Sequence, residues 1–120
     1  MYDISIHHQT PHLEVTLNGD VTPQILDSFL EAAADKSCEH GICRYLLDAR
    51  RATSRTDILT RHQAVQYRAK DLGIKPGSKL AILATEHDWQ EYLTVEMFAV
   101  NHGYHCKIFL DRNAAVDWLC

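Results

Sequence analysis

The stretch from Asp48 to Thr56 gathers the side chains best suited to holding an anion. Arg50, Arg51 and Arg55 bring guanidinium groups, and Thr53, Ser54 and Thr56 bring hydroxyls. A helix expected to start at Ser54 or Thr56 would add free N–H groups and a favourable dipole, so a phosphate, a phosphoprotein or a carboxylate fits there. The plainer reading of the same residues is a solvated basic surface on which Asp48 pairs with a neighbouring arginine. Asp48, Arg50, Arg51, Thr53, Ser54, Arg55 and Thr56 therefore form the candidate anion- or partner-binding loop.

Two further clusters carry soft or borderline ligands, Cys38-Glu-His-Gly-Ile-Cys43 and His102-Gly-Tyr-His-Cys106. Neither has Cys-x-x-Cys spacing. With one strand between them their own strands stand about 9–10 Å apart, so only the loops would bring ligands onto one zinc. No metal or other cofactor is expected. His62 falls on the apolar stripe of a predicted helix, where one hydrogen-bond partner at the core edge accounts for it better than a role as base. Asp48 and Glu86 are placed for acid/base work at strand ends, but cap roles explain them equally well, and Ser54 has no activating histidine. No glycine-rich phosphate loop is present. These residues give no catalytic motif, so an enzyme is not the expected reading.

The chain is 120 residues long, which suits a single domain spanning 1–120, and its 46% hydrophobic and 23% charged residues are ordinary for a globular protein. A net charge of −4 argues against nucleic acid as a bulk partner. The charge is uneven, however: residues 50–70 carry six basic side chains against Asp57 alone, a local balance of +5 within an otherwise acidic chain. The first residues lack the basic start and apolar run of an export signal, and nowhere do about 18 apolar residues follow one another. A cytoplasmic protein without a membrane span is expected, with Cys38, Cys43, Cys106 and Cys120 reduced.

The elements that must position these groups follow from periodicity. Tyr2–His8 and Leu13–Leu17 alternate, with a turn at Gln9-Thr-Pro-His, and so predict a hairpin that ends before Asn18-Gly-Asp. Thr22 as N-cap, Pro23 at the first helical position and Gly41 as stop bracket a helix whose apolar face holds Ile25, Leu26, Phe29, Leu30 and Ala33. A buried strand is predicted at Cys43–Asp48, and a helix from Ser54 or Thr56 to Gly73 carries Ile58, His62, Val65, Ala69 and Leu72. A strand follows at Leu80–Ala84, then a helix whose face is marked by Trp89, Leu93, Met97 and Val100, with Trp89 and Met97 expected in the core. The last strand is His105–Leu110, and Asp111 caps a final helix containing Trp118.

The order β-β-α-β-α-β-α-β-α predicts an α/β fold, a mostly parallel sheet with one antiparallel N-terminal edge strand. With Leu13-Glu-Val-Thr-Leu-Asn-Gly-Asp-Val-Thr, Tyr45-Leu-Leu-Asp-Ala-Arg and Lys107-Ile-Phe-Leu-Asp-Arg-Asn-Ala-Ala-Val-Asp-Trp-Leu, the chain resembles the STAS domain, and more closely its small stand-alone bacterial relatives. The resemblance implies a regulatory protein-binding role. Family members of the anti-sigma-antagonist type carry a phosphorylatable serine in an Asp-Ser-Ser-Gly-Leu pattern after the central strand. Here the matching stretch has no glycine and its hydroxyls are displaced, so the phosphorylation switch is not expected.

If all helices pack on one face of the sheet, Leu46, Leu83 and Phe109 point to the other, an apolar surface that a partner chain or ligand would have to cover. The expected function is thus a non-catalytic STAS-like module that binds a protein partner, with a homodimer as a further expected assembly. A carrier for a lipid or other apolar anion, its head group held by Arg50, Arg51 or Arg55, is the alternative.

Overall fold

The computed structural model describes residues 2–8, 11–54, 75 and 77–120. Strands β1 (Tyr2–His7) and β2 (His12–Val21) form the predicted hairpin, with Ile4 opposite Val15 and His7 opposite His12. Beside β2 lie β3 (Arg44–Ser54), β4 (Lys79–Leu83) and β5 (His105–Phe109), each parallel to its neighbour, so the sheet order is β1-β2-β3-β4-β5. This is the mostly parallel sheet with one antiparallel edge that the sequence predicts.

β2 and β3 run further than expected. Asn18-Gly-Asp is not a turn: after a register shift between Thr16 and Asn18, residues Asn18 to Val21 pair with Arg51 to Ser54. Gly19 sits in this irregular stretch at φ 73°, a backbone conformation that residues with a Cβ rarely adopt, which is why the sequence there has the look of a turn. As a result, Asp48 through Ser54 belong to a strand instead of a loop.

Helix α1 (Pro23–His40) is bounded as its caps dictate. The Thr22 hydroxyl oxygen accepts the Ile25 N–H at 3.2 Å, and Gly41 at φ 66° returns its own N–H to the Ser37 carbonyl. Helix α2 (Trp89–Asn101) follows β4 through a turn in which Thr85 accepts from the Asp88 and Trp89 N–H groups. Helix α3 (Arg112–Leu119) is capped by Asp111, whose Oδ2 accepts the Ala114 N–H at 3.1 Å. The helix predicted between Ser54 and Gly73 lies, apart from its first residue, outside the described residues.

α1 and α2 each cross between neighbouring parallel strands while the sheet advances in one direction, and right-handed crossovers place both on one side. There Phe29 and Ala33 of α1 and Tyr92 and Ala99 of α2 bury Leu13, Val15, Leu17, Ala49, Ile82 and Cys106. α3 connects to no later strand, so no crossover rule holds it to that side, and it folds onto the opposite face. Its Ala115 and Leu119 cover Leu46, Ala81 and Leu83, all of them fully buried, while Trp118 packs against Phe109 with ring centroids 5.7 Å apart. The Lys79 ammonium donates to the Trp118 carbonyl at 3.3 Å and lies 5.5 Å from its ring. The expectation of an open apolar surface at Leu46, Leu83 and Phe109 is therefore corrected: the chain's own last helix closes that part of the sheet. Helices on both faces are what remove the partner surface.

Candidate functional site

Alternation along the strands puts Leu46, Asp48 and Arg50 of β3 and His12, Glu14 and Thr16 of β2 on the α3 side. Arg50 folds back on Asp48, its Nε donating to Oδ1 at 3.0 Å and its Nη2 to Oδ2 at 2.9 Å, while the Arg50 backbone N–H donates to Oδ1 at 3.2 Å. Burial would raise the Asp48 carboxyl, but these bonds outweigh it and hold the group below its ordinary range. The same pairing raises Arg50. This is the ion pair of the plainer reading. Arg51 is exposed; Thr53 and Ser54 lie on β3 without described side chains, and Arg55 and Thr56 fall outside the described residues, as does His62. Glu86 is exposed beyond β4, and no acid/base constellation with Asp48 is built among the described residues.

Beside this pair lies a cluster the sequence reading missed. Glu14, with only 13% of its side chain exposed, is met at Oε1 by Arg112 through both Nη1 and Nη2 at 2.8 Å. The His7 Nε2 lies 3.3 Å from the same oxygen, and the His12 Nε2 lies 3.6 Å from it. The His7 and His12 rings stack with centroids 4.7 Å apart and planes within 4°. His12 is almost completely buried, and desolvation, followed by the nearby His7, lowers its pKa. Arg112 belongs to the first turn of α3, so this helix ties the hairpin to the far side of the sheet. Part of the signal was available: once His7 pairs with His12, a period of two returns Glu14 to the same face.

Among the described residues, neither cysteine-containing loop gathers three ligand atoms; the group that does is His7, His12 and Glu14, whose ligand atoms all lie within 4.8 Å of one another. Cys38 and Cys43 are exposed, whereas Cys106 is buried under α2, and desolvation pushes its thiol up to about 12.

The other unexpected surface is on α2. Its sheet-facing residues are Tyr92, Val95 and Ala99, so Trp89, Leu93, Met97 and Val100, at steps of four, four and three, point away. They are 37%, 37%, 60% and 54% exposed. The expected core position of Trp89 and Met97 is corrected: α2 is apolar on two faces, and smaller or better-placed side chains take the core. The segment that carries the stripe holds Glu86, Asp88, Glu91 and Glu96, with no lysine or arginine between Lys79 and Lys107.

Strand order, helix placement and the capped final helix define a SpoIIAA-like, that is STAS-like, fold. The chain is similar over its full length to a solved structure from Shewanella loihica PV-4, an uncharacterised protein of the DUF3478 family with a SpoIIAA-like fold; the match covers 93% of that chain at 18% identity with a TM-score of 0.65. No protein-family model matches the sequence, and no curated protein does. No described helix is long and apolar enough to cross a membrane.

Proposed function

We propose that the protein is a STAS-like interaction module that binds a protein partner through the outward stripe of α2. The observation that carries this reading is the exposure of Trp89, Leu93, Met97 and Val100 in line on one helix face, although the chain covers its other apolar sheet face with α3. Four large apolar side chains aligned in this way are costly to leave wet and have the spacing by which one helix seats in another's groove. The acidic surroundings select the occupant: an amphipathic segment with apolar anchors and flanking lysine or arginine.

Magnitudes set the kind of complex. Burying the remaining half of four such side chains is worth about 1 kcal/mol each, against an association cost of roughly 4–15 kcal/mol. The stripe alone therefore supports weak, reversible binding, and charge pairing at Glu91 and Asp88 must supply both additional affinity and orientation. The Asp48–Arg50 pair, tied up internally, is not required for this contact.

Native mass spectrometry of the protein isolated gently from its own host tests the reading when wild type is run beside Met97→Glu. Expected is a protein-mass adduct on the wild type that the substitution removes. An adduct of small-molecule mass would favour the apolar carrier instead, and one unchanged by Met97→Glu would remove α2 from the interface.

A further inference from the structure

We propose that His7, His12 and Glu14 form a binding site for one borderline divalent cation of the zinc class. The hairpin builds it: the two histidines are directly opposed across β1 and β2, and Glu14 is the next residue on the same face of β2. Two nitrogens and one carboxylate oxygen are the donors of zinc sites that keep a fourth position open. The spacing also fits. Ligands about 2.0–2.1 Å from a tetrahedral ion stand roughly 3.3–3.4 Å from each other. The His7 Nε2 and Glu14 Oε1 are 3.3 Å apart, and the His12 Nε2 and Glu14 Oε1 are 3.6 Å apart. The third edge lies within 4.8 Å, so the stacked rings must tilt toward each other to close on an ion. The Ser5 hydroxyl, 3.3 Å from the His7 Nε2, is the contact this tilt gives up.

Arg112 currently provides the positive charge that Glu14 needs, with both of its Nη groups on the oxygen that would bind the metal. Arginine and metal are therefore competitors for one carboxylate. Arg112 is about one-third exposed and has Asp48 within electrostatic reach, so it can leave Glu14 without losing every counter-charge. An ion at this site exchanges a long-range tie from α3 for a local one within the hairpin. The site does not depend on the α2 surface, and either can fail alone.

The test uses the full chain with the exposed thiols removed (Cys38→Ser, Cys43→Ser and Cys120→Ser), because these would otherwise bind the probe. Zn²⁺ is titrated against a chromogenic competing chelator, and Co²⁺ absorption reports the donors. Expected is one ion per chain, with cobalt bands of a nitrogen and oxygen site and no sulfur-to-metal transition. His7→Ala and Glu14→Gln should each weaken binding by at least the ~10–100-fold seen when a ligand's supporting contacts are lost. Because His7 is only partly buried, its variant keeps the test open if Glu14→Gln disturbs the fold, which far-UV circular dichroism would reveal. Arg112→Gln should instead tighten binding by on the order of tenfold, since a like charge leaves the site. Absence of saturable binding, binding indifferent to His7→Ala, or weaker binding in a folded Arg112→Gln protein would overturn the proposal.

Discussion

Leu119→Ala tests whether α3 closes the second face of the sheet. Leu119 has no exposed surface and sits with Ala115 over Leu46, Ala81 and Leu83. Removing a fully buried leucine side chain costs ~2–5 kcal/mol, depending on how far the site can collapse. The helix has only eight residues and ends at Leu119, so its last turn can settle inward, which places the cost near the low end, about 2–3 kcal/mol. Against a typical total of ~5–15 kcal/mol this is a large fraction. At this chain length it corresponds to a fall in Tm of roughly 8–15 °C. Urea unfolding followed by circular dichroism gives the free energy, and Trp118 fluorescence, read in a Trp89→Phe background, reports the same helix. Met97→Ala is the matched control: an exposed side chain should change stability by no more than ~0.5 kcal/mol. If Leu119→Ala were equally mild, or changed only the oligomeric state, the face would be closed by something other than α3 and the packing argument would be refuted.

Three other outcomes follow from the same geometry. Thr22→Ala removes the hydroxyl that caps the Ile25 N–H and should cost about 1 kcal/mol in urea unfolding, while Thr22→Ser should cost much less. Under a thiol reagent at neutral pH, Cys38, Cys43 and Cys120 should react promptly; Cys106, buried and pushed up to about 12, should react only as the chain unfolds. Arg50 holds the folded Asp48 below its ordinary 3.8, so the unfolded chain takes up that proton first; the resulting stability is full above 3.8 and is lost as pH falls through the folded value. Acid unfolding should therefore be less steep for Asp48→Asn than for wild type as pH falls below about 4, as followed by circular dichroism.

Local chemistry made much of this fold legible. Thr22-Pro23, Gly41 and Asp111 mark helix ends because each satisfies backbone groups within a few residues, and the alternation in Tyr2–His7 and Leu13–Leu17 needs no distant partner to be read. The extension of β2 and β3 was not legible, since Asn18-Gly-Asp has the chemistry of a turn and only pairing with Arg51 to Ser54 makes it strand. Periodicity identified α2 but not its orientation, because both Trp89-Leu93-Met97 and Tyr92-Val95-Ala99 are apolar and only packing decides between them. For the polar sites, Asp48 was found beside its arginine because the two lie close in sequence. Glu14 and Arg112, 98 residues apart, were beyond any local pattern.

The interface on α2 is tested most directly by photo-crosslinking in living cells of the native host. A photoreactive residue is placed in turn at position 97 on the exposed stripe, at position 51 on the basic strand and at position 24 on the exposed side of α1. Expected is a discrete heteromeric crosslink from position 97, mapped to a segment with apolar anchors and flanking basic residues, with positions 51 and 24 at background. A crosslink from position 51 with none from position 97 would contradict it and return the partner site to the basic strand around Arg50 and Arg51.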